Sequence, residues 1–146
     1  MKNILIIGCG LIGSSLLRSI ADKKIAKKVF IYEKSKSNIS KIKKLKLHCK
    51  IITNLKKVIP NLDLIIFCTP LNEYEKIILK INKYLLPKTI ITDVGSSKEK
   101  SIELIKKKLK KGISWTSSHP IAGSEVSGPE HGTKNLFLKK WCILIK

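Results

Sequence analysis

Residues 2–33, KNILIIGCGLIGSSLLRSIADKKIAKKVFIYE, decide the fold. Ile4-Leu5-Ile6-Ile7 is an apolar run of strand type. Gly8-Cys9-Gly10-Leu11-Ile12-Gly13 follows, and then a helix-like segment from Ser14 to Lys23. A second apolar run, Val29-Phe30-Ile31-Tyr32, ends in Glu33. Strand, glycine turn, helix, strand and acid come in this order, with the acid 20 residues past Gly13. That context turns a common glycine string into a dinucleotide-binding fingerprint.

Each position has a physical job. Gly8 lets the chain turn sharply out of the strand, Gly10 admits a pyrophosphate to the backbone, and Gly13 lets helix and strand approach. Leu11 and Ile12 open the helix, whose free N–H groups and positive dipole end suit phosphate. Glu33 accepts hydrogen bonds from both hydroxyls of an adenosine ribose and repels a 2′-phosphate. NAD is therefore expected over NADP. Lys34 and Lys36 follow at once and weaken that preference.

The chain has 146 residues, 43% of them hydrophobic, enough for one domain with a proper core. No apolar run reaches the roughly 18 residues of a membrane span, and no signal-peptide pattern opens the chain. A cytoplasmic protein with no membrane partner is expected. Cys9, Cys49, Cys68 and Cys142 form no CxxC pair, so free thiols and no metal site are expected. Cys9, inside the phosphate turn, is expected within reach of solvent. The net charge of +20 comes almost wholly from lysine, Arg18 being the one arginine. The lysines are spread over most helical segments and aromatics are only 5%, so no base-stacking surface and no nucleic-acid partner are expected. The positive field still helps to attract anionic ligands.

Downstream, strands and helices alternate. Ser37–Leu47 carries Ile39, Ile42 and Leu45 at helical spacing, and Ile51–Thr53 is a short strand. A helical turn follows over 54–59, stopped by Pro60. Leu62–Phe67 reads as a buried parallel strand. Thr69 is placed to cap a helix over 71–84, with Pro70 at its first position and Pro87 beyond its end. Thr89–Thr92 is a strand, a helix runs to about Lys110, and Ile113–Thr116 is another strand. Residues 118–129 are rich in glycine, proline and serine and read as a loop, followed by a short helical piece at Leu136-Phe137 and a last strand over 141–145. The pattern predicts an α/β, Rossmann-type, doubly wound, mainly parallel sheet with helices on both faces. Ligands of such sheets lie outside the carboxyl ends of the strands. Glu33, Thr69, Asp93–Lys98 and Ser118–Glu125 all follow strands and should gather there.

Three residues are candidates for chemistry. His119, after the sixth strand, can accept a proton from a substrate hydroxyl; it fits equally a loop histidine bonding backbone. Ser96 can orient that hydroxyl, or serve instead as the cap in a Ser96-Ser97-Lys98-Glu99 capping box. Glu125 can help position substrate or can be a solvated loop acid.

The strings GCGLIGSSL (8–16), DVGSSK (93–98) and HPIAGSEVSGPEHG (119–132), with NLF (135–137) behind them, resemble the prephenate dehydrogenase family over essentially the whole chain. That family includes the arogenate and cyclohexadienyl dehydrogenases of tyrosine biosynthesis. HPIAGSE is the most specific of these strings. The family usually has aspartate where this chain has Glu33, and commonly valine at Ser97. The resemblance implies oxidative decarboxylation of prephenate (or arogenate) to the aromatic product, with hydride passing to NAD. His119 would be the proton acceptor, Ser96 its helper and Glu125 a positioning residue. Gly8, Gly10, Leu11, Ile12, Gly13, Glu33, Thr69 and Pro70 would carry the cofactor. It also implies a second, helical domain that dimerises and supplies an arginine for the substrate carboxylate. Residues 1–146 are thus expected to be the dinucleotide-binding domain without that partner, binding NAD but turning over prephenate poorly. Another NAD-dependent Rossmann dehydrogenase, or a non-enzymatic NAD-binding module, are the alternatives.

Overall fold

The computed structural model describes residues 1–145. Seven strands form one sheet: β1 (Asn3–Ile7), β2 (Lys28–Tyr32), β3 (Lys50–Ile51), β4 (Leu64–Phe67), β5 (Ile90–Asp93), β6 (Ser114–Pro120) and β7 (Cys142–Ile145). Four helices connect them: α1 (Leu11–Asp22), α2 (Lys36–Lys44), α3 (Tyr74–Ile81) and α4 (Glu99–Lys108). The strand order is β3-β2-β1-β4-β5-β6-β7. Every pair is parallel except β6–β7, which is antiparallel.

β1 is an interior strand, and every residue from Ile4 to Ile7 is buried. Its side chains alternate between two cores, as the pleat requires. Ile4 and Ile6 pack with Leu17 and Ile20 of α1 and Ile42 of α2. Leu5 and Ile7 pack with Tyr74, Ile77, Ile78 and Ile81 of α3 and Ile105 of α4. Burying both faces of the sheet is what makes its central strands continuously apolar. On the α3 side, Phe67 meets Tyr74 edge-on at 5.2 Å between ring centres, and Trp115 at 4.9 Å.

Several expected boundaries move. The helix expected over 71–84 is a 3-10 turn, α3 and a second 3-10 turn in succession. Pro60 does not stop a turn; it sits inside the 3-10 turn Ile59–Asn61, near its start, where a missing N–H costs nothing. Thr69 does not cap a helix: the turn at Leu71–Glu73 starts after Pro70 and has no side-chain cap. The Ser96 capping box does not form either. α4 begins at Glu99 behind Lys98, without a side-chain cap, so Ser96 stands two residues too early. Leu136-Phe137 falls among hydrogen-bonded turns rather than a helix.

The largest change is at β6. It runs to Pro120 and takes in Ser118, His119 and Pro120, which read locally as loop. β7 causes this, pairing Ser118 with Leu144, His119 with Ile143 and Pro120 with Cys142. The partner lies over 20 residues away, so no local pattern announces it.

Candidate functional site

Where the central strands end, the register lines up the candidate residues. Ile7 faces Tyr32 on one side and Phe67 on the other; Phe67 faces Asp93, and Asp93 faces Ser117. Gly8, Glu33, Thr69, the Gly95–Ser96 segment and His119 therefore all leave one edge of the sheet. The strand order turns back between β1 and β4, which is the switch point where such sheets open a crevice. His119 is three strands from Gly8, about 14 Å across the sheet.

The glycine turn is built as its spacing predicts. Gly8 has φ +89°, and a side chain there would meet the Cys68 carbonyl oxygen at 2.7 Å. A side chain on Gly13 would overlap the Gly8 carbonyl oxygen. Gly10, by contrast, faces open space, so something outside the chain can approach its backbone. Gly10 is the N-cap of α1 and supplies no side-chain cap. The N–H groups of Leu11, Ile12 and Gly13 in the first turn have no intrahelical partner and suit an anion. Cys9 is not within reach of solvent. It is buried in the α1-side core, and burial pushes its thiol up to about 12.

Glu33, just past β2, is held by backbone. Its Oε2 accepts the Cys9 N–H at 2.8 Å, and Oε1 accepts the Lys34 and Ser35 N–H groups at 2.8 and 2.9 Å. The carboxylate therefore braces the glycine turn while keeping lone pairs for a hydroxyl. Beside it opens a slot of about 140 Å³, lined by Gly8, Tyr32, Glu33, Thr69, Pro70 and Ile77 among others. Thr69 Oγ1 is buried there without a hydrogen-bond partner. An orphaned buried hydroxyl on the wall of a slot calls for a ligand or a water. Open backbone at Gly10, free N–H groups on α1, a fixed carboxylate and an unpaired hydroxyl together offer donors and acceptors suited to a phosphate-bearing nucleotide.

His119 and Ser96 occupy the other half of the edge, where β6 and β5 end. His119 is half-buried on β6. Ser96 is exposed on the segment between β5 and α4, with its hydroxyl not committed to a helix cap. Glu125 is exposed in the irregular segment after β6. Behind them lies a cluster that the sequence reading left without a role. Asp93 is fully buried at the end of β5. Its carboxylate accepts Lys98 Nζ at 2.6 Å, Tyr74 Oη at 3.1 Å and the Ser118 N–H at 3.3 Å. Lys98 Nζ also donates to the Ser118 carbonyl at 2.6 Å. Burial and the Asp93 charge push the Tyr74 hydroxyl pKa up, so it remains a donor. The signal in the sequence was an acid closing an apolar strand, with a lysine five residues on.

The glycine-rich motif after β6 divides in two. Its first half leaves the end of β6, where the Ile121 N–H bonds the Trp141 carbonyl at 2.8 Å. Its second half crosses back over α1: the Thr133 N–H bonds Ser15 Oγ at 3.0 Å, and Ser19 Oγ bonds the Lys134 carbonyl at 3.1 Å. Lys134 pairs with Asp22 at 2.7 Å and Glu130 with Lys41 of α2 at 2.5 Å. A side chain on Gly132 would overlap Ser14 Oγ, which explains the small residue there. Arg18 donates to the Ser14 carbonyl at 3.2 Å and belongs to this packing.

Among the described residues no helix is long and apolar enough to cross a membrane. Comparison with known proteins agrees with this architecture. The profile of the family "prephenate dehydrogenase, nucleotide-binding domain" matches residues 16–146. A cyclohexadienyl dehydrogenase of Zymomonas mobilis is 32% identical over 136 residues, covering 93% of this chain and 46% of that protein. A prephenate dehydrogenase of Lactococcus lactis is 32% identical over 147 residues, covering 99% of this chain and 41% of that protein. The crystal structure of Aquifex aeolicus prephenate dehydrogenase with hydroxyphenyl propionate and NAD+ superposes with a TM-score of 0.88 at 31% identity. It covers all of this chain and 51% of that one, glycine turn included. The chain thus spans about half the length of the relatives it matches. A Rossmann sheet and a family profile spanning most of the sequence lead to one conclusion: this chain belongs to the prephenate dehydrogenase nucleotide-binding domain family.

Proposed function

We propose that this chain is the NAD-binding part of an enzyme that oxidatively decarboxylates prephenate to 4-hydroxyphenylpyruvate. One observation carries the reading: the glycine turn, the Glu33 carboxylate and His119 all leave the same edge of the sheet, on either side of the switch point. Gly8, Gly10 and the N–H groups of Leu11, Ile12 and Gly13 would receive the pyrophosphate. Glu33 would hold the adenosine ribose, and Thr69 and Pro70 would wall the slot beside it. When bound, the nicotinamide supplies the hydride acceptor.

The chain's own residues handle the proton. As the substrate carbon loses hydride, its hydroxyl becomes a carbonyl and must give up H+. The His119 imidazole takes that proton. Ser96, with its hydroxyl uncommitted to a helix cap, donates to the developing carbonyl or steadies the ring. Departure of the ring carboxylate as carbon dioxide then leaves its bonding electrons to complete the aromatic ring, and the phenolate oxygen so formed takes a proton back to become the product hydroxyl. Glu125 acts through position, at the mouth of the edge. Substrate anchoring, a helical partner domain and dimerisation fall to sequence beyond this chain.

Titration calorimetry with NAD, NADH and NADP tests the cofactor half. NAD and NADH should bind with one site per chain, and NADP more weakly. Absence of binding by every nucleotide would remove the reading. The catalytic half is tested by His119→Asn in a protein carrying both halves. Turnover should fall by about 10²–10⁴-fold, with NAD affinity retained.

A further inference from the structure

The residue after Glu33 is a lysine, and a lysine next to the ribose is what a 2′-phosphate needs. Here that lysine is engaged elsewhere. Lys34 Nζ makes an ion pair with Glu73 Oε2 across the side of the adenosine slot, which both residues line. Glu73 closes the short turn after Thr69–Pro70, so the pair joins the β2 end of the edge to the β4 end. The Lys34 ammonium holds the Glu73 carboxyl below its ordinary range. The pair is half-exposed, so its worth to stability is small; its effect on a ligand arriving beside it is local charge. The neighbouring Ser35 hydroxyl is engaged too, accepting the Asn38 N–H at 3.2 Å as the cap of α2.

The charge around the ribose position follows. Glu33 and Glu73 each contribute one negative charge and Lys34 one positive, so the residues lining the slot sum to one negative charge, with Lys80 donating to Tyr32 Oη at 2.8 Å and Lys76 beside Glu73 just outside it. Two of only ten acidic residues stand here. We propose that Glu73 sets nucleotide preference by withdrawing the Lys34 ammonium from the place a 2′-phosphate would occupy, so that the chain discriminates against NADP through a pair and not through Glu33 alone. This deepens the NAD-binding reading and rests on it. Lys34 does not by itself tilt the site toward NADP, because its charge is paired with Glu73.

The test is the ratio of NADP to NAD affinity, by calorimetry, in the wild-type chain, Glu73→Gln, Lys34→Met and the double variant. Glu73→Gln keeps the shape of the side chain and frees the ammonium. It should raise the ratio about tenfold, the scale of one charged hydrogen bond. The gain should shrink as salt is raised. Lys34→Met in the Glu73→Gln background should abolish it. A ratio within twofold of wild type in Glu73→Gln overturns the proposal. So does a gain that survives in the double variant, since it would then owe nothing to Lys34. If the wild-type chain binds neither dinucleotide, the NAD-binding reading itself has failed, an outcome distinct from an unchanged ratio.

Discussion

Gly13 shows how one missing side chain sets a site. Its Cα comes so close to the Gly8 carbonyl that a methyl group would overlap the oxygen. The contact is with backbone, which cannot step aside as a flexible side chain would. Gly13→Ala should therefore push α1 away from β1, costing about 1–3 kcal/mol of stability. NAD affinity should drop at least tenfold because the N–H groups of the first turn move. Urea unfolding and calorimetry on the same variant check both; unchanged binding would show the turn to be indifferent to this contact. Cys9 makes the opposite point, since its place in the turn suggested exposure. Its neighbours Ile4, Ile6 and Leu17 enclose it. With the thiol at about 12, the thiolate fraction at pH 8 is about 10⁻⁴. Iodoacetamide at that pH should modify exposed Cys142 first and leave Cys9 intact. The Cys9 adduct should grow only as the pH climbs toward 12 or the fold opens, which peptide mass mapping follows.

The elements most legible in the sequence are those whose burial repeats at a short period. β1, β2 and β4 declare themselves as apolar runs, and α1 and α3 as amphipathic stripes, because each residue's environment is set within a few positions. The end of β6 was not legible, because the residues that make it a strand belong to β7. The capping box misled for a related reason: Ser96 has the right spacing, but the segment after β5 is held by the Asp93 carboxylate accepting the Gly95 N–H at 3.1 Å, which delays the helix. The buried Asp93–Lys98 pair ties β5, α4 and β6 together beneath His119. Lys98→Met removes the cation and leaves a buried carboxylate short of its strongest partner. A loss of about 3–5 kcal/mol is expected in urea unfolding; a loss below 1 kcal/mol would mean that Tyr74 and Ser118 suffice. A second acid acts at the start of β1. Asp63 Oδ2 accepts the Lys2 and Asn3 N–H groups at 2.7 and 2.9 Å, and these bonds hold its carboxyl below the usual range. A depressed folded-state pKa means stability that is present above the unfolded-state value of about 4 and lost as pH falls through the folded-state value. The stability gap between wild type and Asp63→Asn should accordingly close below about pH 4. A gap independent of pH from 3 to 7 would sever that link.

At the scale of the whole molecule, this sheet edge has, on the proposed reading, the cofactor half of the reaction and little of the substrate half. Cofactor recognition needs a turn, a helix end and a carboxylate, all local to the first 33 residues and already braced by hydrogen bonds. Substrate recognition needs cations for two carboxylates and a wall that excludes water. Three cations are engaged within the fold: Lys98 with Asp93, Lys34 with Glu73, and Arg18 with the Ser14 carbonyl. Ser96 and Glu125 lie exposed, so a substrate beside His119 would stay solvated, and its charges would be stabilised weakly. The relatives that the chain matches are about twice its length, which leaves room for the missing wall and cations in sequence outside these residues. The expected behaviour is a separation of binding from turnover. The chain alone should bind NAD saturably, yet produce NADH from prephenate at least about a hundredfold more slowly than a longer relative assayed beside it, the scale lost when reactants are held without orientation. Supplying the rest of a longer relative as a separate polypeptide should restore part of the rate. NADH formation followed by absorbance at saturating NAD decides the point. Full turnover by the chain alone would mean that the exposed edge binds prephenate unaided, and that Lys34, Lys98 or Arg18 leaves its partner to do so.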